Sequence, residues 1–169
     1  MKKVLILIRH AKAHDLESGQ KDSERYLMAE GVKDASLIGR FFLKKDIPVD
    51  RIVASPAERA SSTAQMIAEQ MRYELHSIDY NENIYDASIR NLLNIVNDFS
   101  EDWDSVMLIG HNPAISYIAE YLSGEALDDM VSAGVVVLNF ENMQWQEISQ
   151  QTGNVQDTFS PDKIRDFYK

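Results

Sequence analysis

The chain has 169 residues, 44% of them apolar and 26% charged, which is the make-up of one globular domain long enough to bury a sizeable core. A formal net charge of −10, with no basic run longer than two residues, excludes an ordinary nucleic-acid binder, and the lack of cysteine excludes disulfides and thiolate metal sites. The longest purely apolar run is five residues, against the roughly 20 that a membrane helix needs, so no membrane segment or signal peptide is expected and a cytoplasmic location fits.

Lys3–Ile8 carries the continuous aliphatic run Val4-Leu5-Ile6-Leu7-Ile8, the pattern of a strand buried on both faces. Residues 12–25 are polar, contain Gly19 and read as a loop. Val32, Ala35, Ile38 and Phe42, flanked by Leu37 and Phe41, predict a helix over 30–45 that stops before Pro48. Ile52-Val53-Ala54 predicts a short strand over 51–54. Ser55-Pro56 then predicts a helix start, with Ser55 as N-cap and Pro56 at the first helical position; Ala57, Ala60, Ala64, Ile67 and Met71 continue down one face. Leu75–Ile78 predicts a third strand, 81–86 a polar loop, and 88–99 an amphipathic helix through Ile89, Leu92, Leu93, Val96 and Phe99. Ser105–Ile109 predicts a strand, Pro113–Leu122 a helix and Gly134–Phe140 a strand, with Gln144–Ile148 as its hairpin partner. Strands alternating with helices imply an α/β fold: a three-layer αβα sandwich around a mainly parallel sheet, one domain over residues 1–149 without a large lid. Residues 150–169 are polar, with Phe159, Phe167 and Tyr168 as anchors, and are expected as a tail that packs on the domain or is partly mobile. No GxGxxG or GxxxxGK[ST] occurs, so nucleotide binding by those loops is excluded.

Two aliphatic runs end alike. Arg9-His10-Ala11 follows the first strand, and Gly110-His111-Asn112-Pro113 follows the strand at 106–109. Open α/β sheets bind ligands past the carboxyl ends of their strands, so both histidines are delivered to one edge. A neutral imidazole offers one acceptor nitrogen that can attack phosphorus and one donor that a carbonyl can hold. Arg9 is a planar fork that matches two phosphoryl oxygens. Arg59 falls in the first turn or so of the helix after Ser55-Pro56, where a cation opposes the helix dipole unless an anion is present; a salt bridge to Glu58 or Glu69 is the competing reading. His111, reached through Gly110, would donate to a phosphoryl oxygen when protonated, or else merely opens a helix. Ser55 is expected as a cap, His14 as a loop residue and His76 as a solvated strand position. Glu82, in Asn81-Glu82-Asn83-Ile84-Tyr85, suits a proton donor, because a nearby phosphoryl dianion raises a carboxyl pKa; Asp79 and Asp86 compete for that role.

Taken in order, Arg9-His10-Ala11, Leu27 to Gly31, Ser55-Pro56 with Arg59-Ala60 and Thr63-Ala64, Glu82 to Tyr85, and Gly110-His111-Asn112-Pro113 resemble the histidine phosphatase superfamily, formerly the phosphoglycerate mutase-like group, over nearly the whole chain. The short length and minimal inserts are similar to the SixA-type phosphohistidine phosphatases. Two positions depart from the family's pattern: Ala11 stands where glycine is usual, and Ala57 where Leu or Pro is frequent. The resemblance implies a phosphoglycerate mutase-like fold with His10 as nucleophile, Arg9, Arg59 and His111 around the phosphate, and Glu82 as donor. It also implies catalysis without a metal or other cofactor. In that mechanism His10 attacks phosphorus, the leaving group departs protonated, and water then hydrolyses the phosphohistidine. Short loops leave a pocket open to a protein surface, so the expected substrate is phosphohistidine in a protein. A small phosphate ester is the alternative substrate, and a catalytically silent phosphate-binding module the alternative function. A pocket for phosphate or sulfate and a monomer or weak dimer complete the expectation.

Overall fold

The computed structural model describes residues 1–169. Six strands, β1 (Lys2–Arg9), β2 (Arg51–Ala54), β3 (Asp79–Tyr80), β4 (Ser105–Gly110), β5 (Val135–Glu141) and β6 (Asn154–Phe159), form one sheet in the spatial order β3-β2-β4-β1-β5-β6. β3, β2, β4 and β1 are mutually parallel, whereas β5 runs antiparallel to both β1 and β6. Five helices cover it: α1 (Ala29–Lys44), α2 (Glu58–Met71), α3 (Ile89–Asn97), α4 (Ala114–Ser123) and α5 (Pro161–Phe167). This is the expected single-domain α/β architecture with a mostly parallel sheet. No helix is long and apolar enough to cross a membrane.

The two-residue period of the strands divides the interior into two cores. Leu5, Leu7, Val106, Leu108, Val136 and Leu138 meet α3, α4 and Trp145 on one face. Ile6, Ile8, Met107, Ile109, Val135 and Val137 meet α1, α2 and Ile164 of α5 on the other. Each fully buried aliphatic side chain contributes roughly 1.5–3 kcal/mol, which explains why β1 and β4 carry no polar residue at alternate positions. Helices α1 and α2 lie close together because their contact is built from small residues. Ala60, Ala64 and Ala68 are buried there, and a Cβ on Gly39 would stand 2.5 Å from the Ile67 carbonyl oxygen.

Several elements depart from the sequence expectation, each for a physical reason. Gln144–Ile148 is not a hairpin arm. Trp145 and Ile148, spaced by three, drive a 3₁₀ turn (Trp145–Glu147) whose indole is fully buried against Phe99 and donates to the Trp103 carbonyl at 2.7 Å. The partner of β5 is instead β6, an exposed edge strand whose sequence lacks apolar alternation because only one of its edges and little of its surface is covered. Residues 150–169, expected as a tail, thus supply β6 and α5, and Arg165 of α5 clamps Asp34 of α1 at 2.8 Å. Leu75–Ser77 forms a 3₁₀ turn, and the third strand is the two residues after Ile78. His76 is exposed on that turn, 3.5 Å from Glu74.

The chain that leaves β1 is tied down behind His10. Ala11 is completely buried, its N–H donates to Thr63 Oγ1 of α2 at 3.0 Å, and the Met28 N–H reaches back to the Lys12 carbonyl at 2.9 Å. Gly31 lies against that same Lys12 carbonyl, which a Cβ would strike. Gly31→Ala is expected to destabilise the protein by about 1–3 kcal/mol, the usual cost of forcing an extra methyl against fixed backbone. Chemical denaturation checks this; an unchanged midpoint would show that the Lys12 segment yields freely.

Candidate active site

Strand register brings the chemistry together. Arg9 pairs with Gly110, and Ile109 is shared as partner by Ile8 and Ala54, so β1, β4 and β2 end level with one another. The next backbone bonds continue the pattern, His10 N–H to the Gly110 carbonyl at 3.0 Å and Ser55 N–H to the Ile109 carbonyl at 3.1 Å. His10, His111 and Ser55 therefore leave the sheet at one height, and Arg59 joins them from the first turn of α2.

His10 is held as one tautomer. Its Nδ1 lies 2.8 Å from the Ala11 carbonyl, which can only accept, so Nδ1 carries the proton and Nε2 keeps its lone pair. Arg59 Nε points at that Nε2 from 3.3 Å. The His111 ring stands 5.2 Å from the His10 ring, centroid to centroid, and its Nε2 is 2.8 Å from Ser55 Oγ. Ser55, expected as the cap of α2, is instead fully buried: Ala57 occupies the N-cap position, and the hydroxyl orients His111 while accepting the Ala57 N–H. Arg9 flanks the pair from the β5 side, where its Nη1 and Asn112 Nδ2 share the Met130 carbonyl at 2.9 and 3.0 Å.

Asp22 was not singled out in the sequence, where it lies within the polar loop. Its main-chain oxygen and Oδ2 take both terminal nitrogens of Arg59, at 2.8 and 3.0 Å, while Tyr85 donates to Oδ2 at 2.6 Å and Arg25 to Oδ1 at 3.1 Å. The opposite charges of Asp22 and Arg25, three residues apart, were the available signal. Arg59 thus bonds neither Glu58 nor Glu69. Glu82 is exposed and lines a cleft of about 940 Å³ with Ser23, Glu24, Tyr26, Ala57, Glu58 and Tyr85. Its competitors are engaged differently: Asp79, paired beside Val53 in the sheet, accepts from Arg51 Nε at 2.7 Å, and Asp86 is an exposed turn residue with φ of 53°. His14 is in the loop, as expected, and lends its carbonyl to Arg25.

Burial and surrounding cations set the protonation. Burial lowers His10 to about 4, with Arg59, Arg9 and Arg25 adding to the shift and the Ala11 carbonyl opposing it. Burial lowers His111 to about 3, helped by His10 and Arg59. Both are therefore neutral at pH 7, and only an approaching dianion would favour the charged form of His111. The Tyr85 hydroxyl, followed by Arg25 and Arg59, holds Asp22 well below the usual carboxylate range. Arg9 Nε and His111 Nδ1 are buried without a hydrogen-bond partner in the protein.

A family model described as histidine phosphatase superfamily (branch 1) matches residues 5–86, the stretch that contains Arg9, His10, Arg59 and Glu82. Over that stretch the chain is similar to the histidine phosphatase superfamily. It is a phosphatase. A crystal structure described as SixA from Agrobacterium tumefaciens is 26% identical, with 94% of this chain and 98% of that one covered and a TM-score of 0.79. The structure of the protein histidine phosphatase SixA complexed with tungstate matches at 18% identity, 95% and 99% coverage and a TM-score of 0.82. An uncharacterized protein of Mycobacterium leprae is 24% identical over 161 residues, 88% of this chain and 96% of that protein.

The depressed histidines make a stability statement. Unfolded, both titrate near 6.5; folded, near 4 and 3. Between those values the unfolded chain binds more protons, so stability rises with pH through this window and is lost on acidification. The denaturation midpoint is expected to be lower at pH 4.5 than at pH 7, and the gap to shrink in a His10→Asn/His111→Asn double variant. An equal gap in the double variant would assign the acid loss to carboxylates instead.

Proposed function

We propose that the protein hydrolyses phosphoryl groups through a covalent phosphohistidine on His10 and that its substrate is phosphohistidine in another protein. The observation that carries this reading is the Nδ1 bond to the Ala11 carbonyl. It leaves Nε2 as an oriented, neutral nucleophile beside the guanidinium of Arg59. Free imidazole is partly protonated near neutral pH; here burial lowers the pKa to about 4, so almost every molecule holds the reactive form.

In the first step Nε2 attacks phosphorus in line as the bond to the leaving group breaks, and the leaving group takes a proton. Glu82, on the wall of the cleft, is the assigned donor. In the second step water attacks the phosphohistidine and phosphate leaves with His10 restored. Charge on the equatorial oxygens is met by the donors of Arg59, Arg9 and His111. The unpartnered Arg9 Nε and His111 Nδ1 support that assignment, since buried polar nitrogens are ordinarily bonded and both belong to this site. Ser55 fixes the His111 ring from behind.

The openness of the surroundings and the similar structures support this substrate class. The cleft is formed by short loops with no inserted lid, which suits a phosphoryl group presented on a protein surface. Two of the similar structures are described as SixA, and one of these, a protein histidine phosphatase, holds tungstate, an oxyanion of phosphate-like shape.

His10→Ala is expected to reduce turnover at least about a thousandfold while the fold persists, and Arg59→Ala about 10²–10³-fold. Rapid acid-free quenching with labelled substrate should capture acid-labile, base-stable phosphate on His10. Release of phosphate from a phosphohistidine protein, set against a panel of sugar and nucleotide phosphates, tests the substrate; good turnover of the small esters with none of the protein would reject that half of the proposal.

A further inference from the structure

Arg59 presents two edges. Its end edge, Nη1 and Nη2, is taken entirely by Asp22, through the main-chain oxygen at 2.8 Å and Oδ2 at 3.0 Å. Its side edge, Nε with the remaining inward N–H of Nη2, is the one turned to His10, where Nε stands 3.3 Å from the Nε2 lone pair. Asp22 is itself fixed from two further directions. Tyr85, which also sets its ring edge-on to His111, donates to Oδ2 at 2.6 Å; Arg25, anchored through Nε on the His14 carbonyl, donates to Oδ1 at 3.1 Å. A guanidinium gripped by its end cannot turn in its own plane, so the side edge stays beside the nucleophile. The carboxylate contributes nothing favourable to phosphate binding, because its charge repels the incoming anion. Whatever benefit it brings must come through geometry that matters during transfer.

We propose that Asp22 is a positioning residue for phosphoryl transfer: it clamps the end edge of Arg59 so that the side edge meets the equatorial oxygens of a phosphoryl group at His10 Nε2. This rests on the assignment of His10 and Arg59 given above. Tyr85 and Arg25 act through Asp22, and the single 3₁₀ turn Asp22–Glu24 serves to bring its oxygen and carboxylate to bear on one guanidinium together. The distinguishing property is a split between rate and binding. A clamp raises kcat and weakens anion affinity, whereas a carboxylate that merely competes with phosphate for Arg59 does only the second.

The test uses the full chain with p-nitrophenyl phosphate as substrate and inorganic phosphate as inhibitor, with His10→Ala as control. Asp22→Asn removes the charge and one acceptor while keeping the shape of the turn. The expected result is a kcat lowered about 10–100-fold, the scale of a displaced catalytic group, with phosphate inhibition as tight as in the parent protein or tighter. Tyr85→Phe, which loosens the clamp without touching the charge, should lower kcat in the same direction by less. An Asp22→Asn variant with unchanged or raised kcat and tighter phosphate binding would overturn the proposal, while an inert His10→Ala left the nucleophile assignment standing. Should Asp22→Asn melt early, Tyr85→Phe decides, and an unchanged kcat there overturns the clamp. An active His10→Ala variant would remove the underlying assignment and the clamp with it.

Discussion

The ladder that pairs Arg9 with Gly110 and Ala54 with Ile109 sets the height at which three chain segments leave the sheet. Every contact of the site is built on that level. A slip of one residue between β1 and β4 would send Leu108 into the opposite core and carry His111 away from His10, because side chains alternate faces along a strand. The two aliphatic cores forbid that slip: Leu5, Leu7 and Leu108 fill one, Ile6, Ile8 and Ile109 the other. The apolar interior is therefore what holds the imidazoles in register.

The electrostatics of the site rest on the same burial. Two imidazoles that are buried and enclosed among guanidinium groups give up their protons, and the fixed tautomer of His10 leaves a neutral ring with an acceptor nitrogen at Nε2. The cations that depress them need a counterweight in a chain of this fold. Asp22 supplies it from a loop, and the Tyr85 hydroxyl keeps that carboxylate ionised. The site is thus organised by one acid that belongs to none of the strands.

Much of this is legible in the amino-acid sequence. Continuous aliphatic runs marked β1 and β4 because both faces of a central strand are covered, and the residues after those runs were then placed at a sheet edge by topology alone. His10, Arg59 and His111 do meet there. Ser55 read as a helix cap because Ser-Pro is a good local start signal; its burial depends on His111, which lies 56 residues away in sequence. Asp22 was hidden for a related reason, since its partners Arg59 and Tyr85 lie 37 and 63 positions away and only its spacing of three from Arg25 sets it apart from other loop acids. At the other edge of the sheet β6 escaped notice because an exposed strand needs no apolar alternation, while the indole of Trp145 imitated the pattern that β6 lacks.

Glu24, Glu58 and Glu82 stand on the wall of the cleft, in a molecule that already carries a net charge of −10. An anionic substrate diffusing toward His10 climbs a repulsive potential before any guanidinium can attract it. Added salt shortens the reach of that potential and so hastens encounter, the reverse of what happens at sites that draw their substrates in from afar.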